Sequence, residues 1–224
     1  LGEIFRADYL RRRFAAMRSS AVGSIIVERL LDGVVIVSLF LIGLALVTHR
    51  AGYDVLVTVA GTGAAGVVVI AVGVALLPSY YERLPFFRVP WIQPRLVAFV
   101  AALNVTRTAA LLPSLGLSLV IWAIECAALG AVVLACGVPL QLAQLWVVVG
   151  AASLSTLVPT APGYIGTLQI AYVAAFAALD KGAVAAVAAA TLHQVVLLGS
   201  MTLVGLGVLA SATLKNAAEP ALKE

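Results

Sequence analysis

Apolar positions along the chain fall into long uncharged runs divided by short polar breaks. The runs 21–48, 55–77, 114–136, 141–157, 165–179 and 183–214 read as membrane helices, several near the roughly 20 apolar residues that a helix needs to cross a hydrocarbon core. Ahead of them, residues 1–20 place Ile4, Phe5, Tyr9, Leu10, Phe14 and Met17 near one helical face with the arginines largely elsewhere. That pattern predicts an amphipathic helix lying in the interface, or else the charged tail of the first span. Leu96 to Leu112 also looks helical, with Asn104 and Arg107 three apart on one face, and Pro113 opens the next span. Pro78 to Arg95 mixes aromatics, prolines and arginines in the manner of an interfacial loop.

One interval interrupts this regularity. Between Glu125 and Asp180 there is no Lys, Arg, Asp or Glu, yet Ser153 to Tyr172 contains Pro159, Pro162, Gly163 and Gly166. The prolines remove backbone donors and the glycines allow turns closed to other residues, so 159–166 is predicted as a break inside the membrane. Broken backbone survives at that depth only where protein or a watery cavity receives it, and such breaks in transporters point to binding sites. A helix starting near Gly163 to Gly166 would turn free N–H groups toward a phosphate or carboxylate, with Gln169 one turn in.

Composition places these runs in a lipid setting. Hydrophobic residues make up 63% of the 224, charged residues 11%, and mean hydropathy is +1.12. The expected class is an all-α polytopic membrane protein, a single membrane domain 1–224 with broken or re-entrant helices. Leu1, Gly2 and Ala7 share the spacing of Ile165, Gly166 and Ala171, an echo compatible with an inverted repeat. Because the chain opens on Leu1 with a charged amphipathic run, it is expected to be N-terminally incomplete.

Charge adds orientation and candidate chemistry. Arg6, Arg11, Arg12, Arg13 and Arg18 precede the first span, Arg83, Arg88, Arg95 and Arg107 surround the second polar break, and Lys215 and Lys223 close the chain. The opposite loops hold Arg50 and Lys181. The Lys and Arg excess puts the N-terminal segment and the C-terminus on the cytoplasmic side of the cell inner membrane. Within the first span, Glu28, Arg29 and Asp32 lie on neighbouring turns, as a functional cluster or as an anchor at headgroup level. Arg107 either binds a phosphate or snorkels to the interface. Glu125, isolated in its span, and His193 are candidates for proton coupling or for structural hydrogen bonds. Cys126 and Cys136 read as small buried hydrophobes.

Three segments together resemble a known family: GEIFRADYLRRR (Gly2 to Arg13), SIIVERLLD (Ser24 to Asp32) and PTAPGYIG (Pro159 to Gly166). The chain looks like a member of the lysylphosphatidylglycerol synthase transmembrane family of flippase-like membrane proteins. The resemblance implies about eight membrane segments including re-entrant ones, with a further portion ahead of the Gly-Glu motif. It carries site roles to Gly2, Glu3 and Arg6, to Glu28, Arg29 and Asp32, and to Pro159, Pro162, Gly163 and Gly166. Many relatives have a Glu soon after the last Gly; this chain has Thr167, Leu168 and Gln169.

The leading expectation is translocation of a phospholipid or lipid-linked glycan with a charged or polar headgroup, without covalent chemistry. Arg6, Arg29 and Arg107 would receive headgroup charge, with Glu3, Glu28 and Asp32 fixing them. Membrane lipids are the expected partners, with a homo-oligomer admitted and no nucleic acid. The alternative is an accessory subunit presenting lipid to a separate glycosyl- or aminoacyl-transferase. A membrane enzyme is disfavoured: the sequence holds no metal set, no cofactor fingerprint and no Walker-type phosphate loop.

Overall fold

A computed structural model describes residues 18–47, 53–83, 91, 93–104, 111–157 and 162–218. Among them are seven α-helices and no strand: α1 Arg18–Leu46, α2 Tyr53–Tyr80, α3 Gln93–Asn104, α4 Leu111–Ala135, α5 Leu142–Ser155, α6 Thr167–Ala178 and α7 Ala183–Ala218. Single 3-10 turns, Tyr81–Arg83 and Pro162–Tyr164, follow α2 and precede α6. The all-α membrane class holds. Three stretches, α2, α4 and Ala183–Ser211 of α7, are long and apolar enough to cross a membrane.

The helix α1 sits at the centre, against α2, α3, α4 and α5. Its residues Val35, Val37, Phe40 and Leu44 are buried, because small residues on the neighbours let backbones approach. Facing contacts set the register. A Cβ at Gly43 would lie 2.8 Å from the Ala143 carbonyl oxygen, one at Gly150 would overlap Phe40, and one at Gly63 would touch both Leu154 and Val37. As α1 is read backward from 43 to 37, α5 is read forward from 143 to 154, so the two run antiparallel.

The pair α5 and α6 forms a hairpin that enters and leaves by one end. Leu46 and Val47 after α1, Gln141 and Gln144 at the start of α5, and Leu179 and Lys181 after α6 line a common pocket. With 14 and 12 residues, the two helices are about 21 and 18 Å long, short of a hydrocarbon core about 30 Å thick. The hairpin is therefore re-entrant. Its tip, at Gly163, lies beside Gln194 and Leu198 of α7.

Three local readings need correction. The second span was expected to end at Leu77, but α2 continues through Pro78 to Tyr80, since a proline in the closing turns removes little of the hydrogen-bond ladder. Of Leu96 to Leu112, the described residues are helical up to Asn104 in α3 and again at Leu111 and Leu112 in α4, and 105–110 lie outside the described residues. Pro113 then falls in the first turn, where its missing N–H would have had no helical partner. At the start, Arg18, Ser19 and Ser20 belong to α1 rather than to an interfacial segment, because no breaker separates them from the apolar run. The rest of that segment, and with it the first half of the spacing echo, lies outside the described residues.

Candidate functional site

Backbone at the hairpin tip leaves helical geometry three times. Gly163 has φ +75°, Tyr164 +59° and Gly166 +95°, all in the left-handed region. The glycines adopt it without a Cβ penalty, whereas Tyr164 does so at a cost of about 1–2 kcal/mol. A kinked chain in lipid needs partners for its exposed donors and acceptors, and two glutamines supply them. The Gly166 N–H donates to Gln169 Oε1 at 2.8 Å, and Gln169 Nε2 donates to Gln194 Oε1 at 2.9 Å. Gln194 Nε2 in turn donates to the Gly163 carbonyl. The circuit starts and ends on the tip, with one amide from α6 and one from α7. Hydroxyls complete the surroundings: Thr156 bonds back to the Ser153 carbonyl at 2.7 Å and Thr167 to that of Tyr164 at 3.1 Å.

Next to Gln194, His193 joins three helices. Its Nε2 lies 3.0 Å from Glu125 Oε1 on α4, and its Nδ1 lies 2.6 Å from the Tyr172 hydroxyl on α6. Tyr172 is fully enclosed, His193 is buried, and the Glu125 side chain keeps 32% of its surface. Glu125 and His193 each stand ten residues from the entry end of their helices, about 15 Å, and therefore meet at one depth. The charge that looked isolated in sequence is paired across 68 positions.

A second polar cluster lies beyond the tip. Asp32 Oδ2 is 3.7 Å from Arg29 Nη1, and its Oδ1 accepts from Ser118 Oγ on α4 at 2.6 Å. Opposite α1, the helix α5 gives out near Val37, so Arg29 and Asp32 stand one to two turns past the tip, toward the arginine-rich end. Glu28, half-buried, is on the same stretch.

The predicted site residues thus fall into two groups that the fold holds apart in depth. Gly163, Gly166 and Gln169 join Gln194 at the tip, next to the Glu125 and His193 pair, while Glu28, Arg29 and Asp32 form the deeper cluster. Asn104 closes α3 and Pro162 opens the tip's 3-10 turn. Gly2, Glu3, Arg6, Arg107 and Pro159 lie outside the described residues. Sequence reasoning missed Tyr172 and Ser118 and did not assign Gln194. A signal existed for two of them: Tyr172 stands three after Gln169 on one helical face, and Gln194 adjoins His193. No group of three or more His, Cys, Asp or Glu able to hold a metal occurs among the described residues.

A family model described as the lysylphosphatidylglycerol synthase TM region matches residues 1–205. The chain belongs to that family. Its match covers α1 to α6 and most of α7, including both polar clusters, and supports a membrane, lipid-related role. No curated protein and no solved structure matches the chain. Gln169 both accepts from Gly166 and donates to Gln194, a double role closed to an ionised Glu.

Proposed function

We propose that this protein translocates a membrane lipid with a charged or polar headgroup across the cytoplasmic membrane, without covalent chemistry. The observation that carries the reading is the tip of the short α5–α6 hairpin: broken backbone held by the Gln169 and Gln194 amides, in a bundle that also holds the Arg29–Asp32–Ser118 cluster. A lipid entering from the arginine-rich side would meet a cation first and the tip second. Arg29, 60% exposed along its side chain, supports contact with a phosphate or glycosyl-phosphate headgroup. Membership of a lipid-related family supports the substrate class. The Lys and Arg excess supports a cytoplasmic orientation of the arginine-rich end. Membrane lipids are the partners proposed; a transferase or a second copy would add to this pathway without replacing it.

Headgroup accessibility of fluorescent lipids in proteoliposomes tests the proposal, comparing wild type with Arg29→Met and Gly163→Leu. Exchange of one lipid class, slowed by both substitutions, is the expected outcome. If a folded protein exchanges no anionic phospholipid or glycolipid, translocation is refuted and presentation of lipid to a separate transferase takes its place.

A further inference from the structure

Hydrogen-bond roles around His193 allow one fully satisfied neutral arrangement. With the ring proton on Nε2, that N–H donates to Glu125 Oε1, Nδ1 is an acceptor, and the Tyr172 O–H donates to it. The nitrogen left to bind a further proton is Nδ1, the one that Tyr172 occupies. A ring protonated there becomes a donor at both nitrogens, so the Tyr172 hydroxyl must turn round and accept. Its own O–H then loses its partner, and among the described residues the enclosed Tyr172 has no other.

The consequence passes to the hairpin through adjacent residues. Tyr172 and Gln169 lie three apart on α6, and they bond His193 and Gln194, neighbours on α7. Gln194 in turn holds the Gly163 carbonyl. The same seam between α6 and α7 therefore carries both the proton-sensitive bond and the clamp on the tip. Other titratable groups around the ring are few. From α4 come Glu125, Cys126 and, farther along, Cys136; α6 brings Tyr172; α5 brings none; and His193 is the sole titratable residue of α7 between Ala183 and Lys215. Glu125, partly exposed, is the charged partner of the ring at Nε2.

We propose that His193 is a proton-binding site whose occupancy releases the hairpin tip from α7. Glu125 anchors the ring through Nε2, Tyr172 senses the proton at Nδ1, and Gln194 transmits the change to Gly163. This coupling acts on the hairpin of the proposed lipid pathway, but its readout is tip position, so it stands or falls separately from any lipid assay.

The test attaches a nitroxide to Tyr164→Cys in full-length protein carrying Cys126→Ala and Cys136→Ala, in phosphatidylcholine–phosphatidylglycerol vesicles. Spin-label mobility is compared in matched vesicles at acidic and at neutral pH. The expected result is a rise of about tenfold in the mobile fraction on acidification, as a minor conformer becomes a major one. His193→Gln should abolish the response. Tyr172→Phe, which keeps the ring and removes the sensing O–H, should do the same and covers the case in which His193→Gln does not fold. A tip that does not respond to pH, or a response that persists in either folded variant, overturns the proposal.

Discussion

Gly150 on α5 lies directly beneath Phe40 on α1, so close that a Cβ built at 150 would overlap the Cβ and Cγ of the phenylalanine. Both residues are buried, and Phe40 is fully enclosed. This contact seats the re-entrant hairpin on the central helix. The overlap involves the stem of the aromatic side chain, which cannot swing aside as a flexible tip could. Gly150→Ala is therefore expected to destabilise the fold by about 1–3 kcal/mol or more through overpacking. Gly61→Ala, at a helix position with open space around it, should leave stability nearly unchanged. Thermal unfolding of the two variants in detergent checks the contrast, and equal losses would refute the seating role of Gly150.

Gln169 must act as acceptor and donor at once, which fixes the outcome of an almost isosteric change. In Gln169→Glu the carboxylate still accepts from the Gly166 N–H, but the donation to Gln194 is lost. If the Gln194 amide flips to donate to the new carboxylate, its oxygen faces the Gly163 carbonyl. Either way one bond of the tip circuit breaks, at about 1–3 kcal/mol for a polar group left unsatisfied. Thermal unfolding in detergent should show Gln169→Glu less stable than wild type by that order, with Gln194→Leu behaving alike. Unchanged stability in both variants would show that the amides do not hold the tip.

Ser118 and Asp32 supply a second test, on the deeper cluster. Their 2.6 Å bond engages a carboxylate, a class worth about 1.5–3 kcal/mol. Ser118→Ala should lower unfolding stability by that order, Asp32→Asn should weaken the same bond, and the double variant should lose less than the sum. Strict additivity would mean that the two side chains do not interact.

Trp122 is half-buried against the core. Its indole Nε1 is enclosed and has no hydrogen-bond partner among the described residues. Trp122→Phe removes this orphan donor while keeping an aromatic ring, so relief of a desolvation penalty offsets lost packing and stability should change by no more than about 1 kcal/mol. Trp122→Ala, which also removes the packing of this half-buried ring against the core, should cost clearly more than Trp122→Phe. Unfolding curves that place the two variants together would refute this account.

Much of the architecture was readable before any coordinates, because lipid makes the rule simple: uncharged runs become helices, and a Pro- and Gly-rich interval inside one becomes a break. Pro162, Gly163 and Gly166 marked the tip on that ground alone. Boundaries were less legible. Pro78 and Pro113 were both taken as edges, yet each lies within a helix, since near a terminus a proline removes few bonds or none. Side-chain partners were not legible at all where they are remote in sequence: Asp32 with Ser118 stands 86 positions apart, Glu125 with His193 68.

What the sequence by itself determined is the medium, the class and the family: apolar runs that water would not tolerate, a break that lipid would not tolerate unpartnered, and three motif segments spread along the chain. Only the tertiary structure decided which polar group satisfies which. Hydrogen bonding at mid-depth is set by helix register and direction, and those follow from contacts such as Gly150 under Phe40. No local pattern encodes that three helices bring Glu125, Tyr172 and His193 to one depth, or that the residue beside that histidine holds the tip. Burial in a low-dielectric bundle turns these remote positions into obligatory partners.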